Sequence, residues 1–170
     1  MGVLRKADFY YGSMLSCFIN SGLKPAIFEN GNDRRIYDIT TNNGEYKIYA
    51  KYISVPSNIN RKNKDKRLWH FSFLPEEVEY FKNYRENNKK LYLVLICGQE
   101  KLQDSEIAIL TLSEAKKCLD VDYIRPSHRI SIIWEKGSHG LKAYGTGIDG
   151  KENAIRISRD ISSYFLEDVQ

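Results

Sequence analysis

The stretch IYDITTNNGEYKIYAKY at residues 36–52 decides how this chain is read. From Glu45 onward, Tyr46, Ile48, Ala50 and Tyr52 alternate with Glu45, Lys47, Tyr49 and Lys51, the period-two pattern of a strand with two unlike faces. RIYDI at 35–39 reads as the strand before it and PAIFEN at 25–30 as one earlier still, with the Asn-rich turns NGNDR (30–34) and TNNG (41–44) joining them as antiparallel hairpins. Upstream, Tyr10, Met14 and Phe18 at helical spacing predict an amphipathic helix over about 6–21, stopped by Gly22 and followed by Pro25.

Downstream, the polar run SNINRKNKDKR (57–67) reads as a loop or basic arm, and WHFSF points Trp69, Phe71 and Phe73 to one side of a strand. LPEEVEYFKNYRENNKK carries Pro75 in a first helical turn, Glu76 and Glu77 at the positive end of the helix dipole, and Val78, Phe81 and Tyr84 on one face. LYLVLICG (91–98) is apolar almost throughout and predicts the central strand, covered on both faces. SEIAILTL (105–112) alternates again, and SEAKKCLDV (113–121) predicts a short helix capped by Ser113. RISIIWE, LKAYGT and NAIRIS follow as a C-terminal β meander, with GTGIDG (145–150) as a hairpin turn and RDISSYFL (159–166) as a closing helical turn capped by Ser158. This order predicts a single α/β or α+β domain over residues 1–170, with a mixed central sheet flanked by helices.

The 170 residues suffice for one core without metal or disulfide staples. Hydrophobic residues at 42% and charged residues at 28% exclude a disordered or collagen-like chain, and the net charge of +4 permits a polyanionic partner without demanding one. Cys17, Cys97 and Cys118 are too widely spaced for a metal knuckle and odd in number for a disulfide framework, so they read as small buried hydrophobes in a reducing, cytoplasmic setting. No segment has the apolar length of a signal peptide core or a membrane-spanning helix, and no membrane partner is expected. A protein partner, or a second copy of the chain in a homodimer, remains compatible with this size.

Phosphate-loop, dinucleotide-binding, HExxH, nucleophile-elbow and calcium-loop motifs are missing from the sequence. Candidate chemistry therefore rests on Asp38, Glu45, Lys47 and Lys51. Asp38 and Glu45 on adjacent strands can converge on a hard cation such as Mg²⁺, with a lysine beside them to orient water or offset phosphate charge. The plainer reading is a solvated sheet face with cross-strand charge pairs. His70, His128 and His139 lack metal-ligand spacing and read as ordinary polar residues.

The opening helix, the strands, the Asp ending one of them and the strand reading KIYAKY resemble the core of the PD-(D/E)xK nuclease superfamily, whose members are restriction-endonuclease-like. The resemblance implies a restriction-endonuclease-like core and metal-dependent DNA phosphodiester hydrolysis. On one alignment it places the metal-binding carboxylate on Asp38 and the lysine on Lys51, with Tyr49 where the family has an acid. On the other, Glu45-Tyr46-Lys47 supplies the acid-x-Lys triplet, so that Asp38 and Glu45 would hold Mg²⁺. It also implies an acid from the first helix, for which Asp8 is the candidate. Arg61, Lys62, Lys64, Lys66 and Arg67 would grip a DNA backbone. The alternative is a non-catalytic binding or regulatory protein using its basic run and a tyrosine-rich surface drawn from Tyr10, Tyr11, Tyr37, Tyr46, Tyr49 and Tyr52 to contact protein or nucleic acid.

Overall fold

A computed structural model describes residues 2–30, 34–41, 44–57, 65–87 and 89–165. The opening elements are α1 (Lys6–Asn20), β1 (Lys24–Asn30), β2 (Arg35–Thr41), β3 (Gly44–Ile53) and β4 (Lys66–Phe73). Then come α2 (Pro75–Asn83), β5 (Lys89–Cys97), β6 (Glu106–Thr111) and α3 (Leu112–Leu119). β7 (His128–Glu135), β8 (Leu141–Gly145), β9 (Ile155–Ile157) and the single turn α4 (Ser162–Phe165) complete the order.

The strands form two sheets rather than one. The first, in the order β1-β2-β3-β5-β6, is mixed: β1, β2 and β3 are antiparallel, β3 and β5 run parallel, and β6 returns antiparallel to β5. The second, β4-β7-β8-β9, is antiparallel throughout, so the expected C-terminal meander exists but takes β4 as its outer partner. The expected mixed sheet flanked by helices is therefore present, and the addition to it is that β4 joins the meander, because its apolar side needs a facing layer and finds it on the first sheet.

α1 lays Tyr10, Tyr11, Met14 and Phe18 on one face of the first sheet, against Tyr37, Ile39, Ile48 and Ala50 and the even-numbered residues Tyr92, Val94 and Ile96 of β5, with Phe165 of α4 closing the layer. The opposite face carries Ile36, Tyr49, Leu91, Leu93, Leu95 and Cys97. It is covered by Trp69, Phe71, Phe73, Ile130 and Ile132 of the second sheet together with α2 and α3. β5 is therefore buried on both faces from Leu91 to Cys97, which explains its unbroken apolar sequence, although β3 and not β5 is the middle strand.

Local chemistry sets the ends. Pro75 opens α2, and Glu77 turns its carboxylate back to accept the Leu74 N–H at 2.9 Å. The cap of α3 lies two residues earlier than expected. Thr111, not Ser113, is its cap: its hydroxyl accepts the Glu114 N–H, while Glu114 accepts the Thr111 N–H. At α4 the Asp160 carboxylate accepts the Ser162 N–H, while Ser158 accepts from Asp160.

Two other expectations change. Cys17 is exposed on the outer side of α1, while Cys97 and Cys118 are buried as expected. The tyrosine-rich surface is mostly core: Tyr10, Tyr11, Tyr37 and Tyr49 are all buried, and Tyr52 stacks on Tyr10 with ring centroids 4.8 Å apart. Among the described residues no helix is long and apolar enough to cross a membrane.

Candidate functional site

β2 and β3 pair in unbroken register from Arg35 opposite Ala50 to Thr41 opposite Gly44, which sets Asp38 opposite Lys47 and Thr40 opposite Glu45. Asp38, Glu45, Lys47, Tyr49 and Lys51 consequently share one face of the sheet, and the parallel strand β5 brings Lys89 alongside Glu45. The Lys89 ammonium lies 3.5 Å from Asp38 Oδ1 and 3.7 Å from Glu45 Oε2, while Lys47 Nζ is 3.8 Å from Asp38 Oδ1. Asp38 Oδ1 is buried, and among the described residues it accepts no hydrogen bond and is compensated by these two ion pairs. Beside it the Tyr84 hydroxyl donates to the Lys89 carbonyl at 2.9 Å. Burial, with help from Glu86 and Asp38, holds that phenol above its usual range.

Lys51 belongs to a different environment on the same strand. Four residues beyond Lys47, on the order of 13 Å along a strand, it is only 6% exposed. Its ammonium donates to the Ser72 carbonyl at 2.5 Å and to both oxygens of Glu77 at 3.1 Å, and it lies 4.3 Å from the Phe73 ring centroid. Tyr49 donates to the same carboxylate at 2.7 Å, and burial followed by Glu77 pushes its ionisation far up. Lys51, Tyr49 and Glu77 thus form a closed, buried polar cluster beneath α2.

The two candidate alignments therefore separate in space. Asp38, Glu45 and Lys47 come together, whereas Lys51 is sealed away from them with Glu77 as its partner. Asp8 is on the other side of the sheet. It accepts the Arg5 N–H at 2.8 Å and the Arg35 guanidinium at 2.9 Å, and these hold its carboxyl below the usual range. Arg35 in turn lies over Tyr11 on the α1 side. Asp8 accordingly supplies no acid to the Asp38 group, which corrects the expectation from the first helix.

Of the basic run, Arg61, Lys62 and Lys64 lie outside the described residues, while Lys66 and Arg67 open β4. Arg67 extends over Trp134 with its guanidinium 5.8 Å from the ring centroid. Two of the histidines take structural roles. His128 accepts the Arg125 N–H on Nε2 at 2.9 Å, which leaves Nδ1 to donate to the Leu119 carbonyl, and His70 meets the Ser131 hydroxyl at 2.6 Å.

Lys89 and Glu77 are the two partners that sequence patterning missed. Glu77 was legible only as a helix-dipole residue, although a lysine on an apolar strand face demands a buried counter-charge from somewhere. Lys89 sits at the start of a strand whose pairing with β3 spans the intervening α2, so hairpin register gives no clue to it.

The Asp38 group does not fit Mg²⁺ as arranged. Its two carboxylates are matched by two ammonium groups, and the Lys89 Nζ already lies within ion-pair reach of both carboxylates. Among the described residues no cluster of three or more His, Cys, Asp or Glu side chains converges elsewhere. Compared with models of known protein families, with curated proteins and with solved structures, the chain matches none.

Proposed function

We propose that the chain is a restriction-endonuclease-like protein that binds nucleic acid without cleaving it. The observation carrying this reading is the Lys89 ammonium between Asp38 and Glu45, which neutralises the carboxylates a catalytic cation would need. The element order helix, three antiparallel strands, helix and a strand parallel to the third supports the likeness to a PD-(D/E)xK core, with β4 inserted before the second helix. The burial of most of the N-terminal tyrosines disfavours a tyrosine-based protein interface. The basic residues Arg61 to Arg67, in a chain of net charge +4, favour a phosphate backbone as the partner.

Two measurements test it. Duplex and single-stranded DNA are titrated between about 50 and about 200 mM salt, where each phosphate neutralised on a duplex steepens the log–log slope by about 0.9. Retention that weakens with salt, with a slope flattened when Arg61, Lys62 and Lys64 are together replaced by Gln, is the expected result; absence of salt-dependent retention overturns nucleic-acid binding. Calorimetric titration with Mg²⁺ and Mn²⁺ is expected to show no saturable uptake, and DNA is expected to stay intact. Saturable uptake lost in Asp38→Ala, accompanied by cleavage, reverses the proposal in favour of metal-dependent hydrolysis.

A further inference from the structure

A polar cleft opens at the far end of the sheet from Asp38. β3 and β5 run parallel and finish together at Ile53 and Cys97, and the chain beyond them lines the opening. Open α/β sheets characteristically take ligands in the crevice outside the carboxyl ends of their parallel strands. The main hollow has a volume of about 420 Å³ and adjoins a second of about 380 Å³; the two share Arg67, Gln99 and Asp104. Either volume falls within the usual range of small-ligand sites, roughly 300–1,000 Å³.

The lining is specific in kind. Trp134 is half-buried, so part of its indole faces the opening, with the planar Arg67 guanidinium lying over it. Trp69 forms the inner wall and is fixed, its Nε1–H donating to the Gly98 carbonyl at 2.8 Å. Gln99 and Gln103 each offer an amide donor and acceptor, Asp104 offers acceptors alone, and Arg159 stands opposite, anchored by Glu106. The main hollow sets two arginines against two carboxylates and the adjoining one adds Lys101 and Glu100, a balance that suits a ligand with one modest anionic group and a hydrogen-bonding edge, and does not suit a polyphosphate. A flat stacking surface beside amide and carboxylate groups matches a nucleobase.

We propose that this cleft binds one nucleotide unit, its base displacing the Arg67 guanidinium from the Trp134 ring to stack there, its edge met by Gln99, Gln103 and Asp104, and its phosphate against the displaced Arg67 and Arg159. The choice of ligand rests on the nucleic-acid reading above; the location of the cleft does not. The unit is either a free nucleoside monophosphate or one residue of a single strand.

Tryptophan fluorescence reports occupancy of the cleft, since Trp134 and Trp69 both line it. The protein is titrated with the four nucleoside monophosphates and with a single-stranded oligonucleotide of about ten residues, following tryptophan fluorescence, and affinities of variants are read by calorimetry. Saturable quenching by a monophosphate identifies a free nucleotide, and quenching by the strand alone identifies a strand residue. In either case Trp134→Leu is expected to lose about tenfold or more in affinity, while Trp134→Phe keeps most of it. If Trp134→Leu fails to fold by circular dichroism, Gln99→Ala combined with Gln103→Ala takes its place and is expected to lose about fivefold or more. Absence of quenching and heat with both probes, or affinities that the substitutions leave unchanged, overturns the proposal. Salt-dependent duplex retention surviving in Trp134→Leu, with both small probes inert, refutes the cleft and keeps the function. Monophosphate binding that depends on Trp134, without DNA retention, does the reverse.

Discussion

Lys51 shows how much a single buried charge asks of its surroundings. Taking an ammonium out of water costs several kcal/mol after relaxation, roughly; Glu77, the Ser72 carbonyl and the Phe73 ring together offset that cost. Removing one partner of such a pair strands the other. Lys51→Met should therefore destabilise the protein by about 3–5 kcal/mol, measured by urea denaturation. A cost under about 1 kcal/mol would show that the Glu77 carboxylate finds water or other donors. At this scale the sequence was half legible. The alternation in β3 put Asp38, Glu45, Lys47 and Lys51 on one face, because a four-residue turn leaves little freedom in hairpin register. It could not tell that one end of that face lies open with Lys89 and the other is covered by α2, since both partners arrive through long-range pairing.

Among the elements, the parallel contact between β3 and β5 is held close at its carboxyl end by a residue without a side chain. A Cβ on Gly98 would stand 2.6 Å from the carbonyl oxygens of Ile53 and Ser54, and the Gly98 N–H donates to Ile53 at 2.7 Å. Gly98→Ala must part the strands there or lose that bond. The expected cost is about 1–3 kcal/mol in thermal unfolding, with faster hydrogen exchange at the end of β5. Stability equal to wild type would mean that the segment after β3 shifts freely. Glycine at this position was readable as a strand end, and the helices were readable from their apolar spacing and from Pro75. The sheet to which β4 belongs was not. Alternation tells which side of a strand is apolar, and Trp69, Phe71 and Phe73 do turn inward, but it does not name the neighbour that supplies the hydrogen bonds.

For the molecule as a whole, the three cysteines measure how completely the layers exclude solvent. Burial raises the Cys118 thiol to about 12 and lifts Cys97 well above its usual value, whereas Cys17 is exposed. Ellman titration of the native protein should find one reactive thiol near neutral pH and the other two only on unfolding. The same shifts fix a sign for alkaline pH. In the unfolded chain these thiols ionise from about pH 8.5 while in the fold they stay protonated, so stability present below that pH is lost as pH rises above it. Rapid modification of all three in the native state would contradict the two-layer burial.

β4 lies early in the chain, yet its strand partner β7 begins only at His128. During synthesis the β1–β2–β3 hairpins can close as soon as they emerge, but β4 must wait for more than fifty further residues before its ladder exists. Throughout that interval Trp69, Phe71 and Phe73 can face the first sheet, but β4 lacks the strand that pairs with its backbone and the Ile130 and Ile132 side chains that flank its own. Docking of the second sheet is therefore the late step in folding, and the newly made chain is most exposed to misassociation just before β7 is complete.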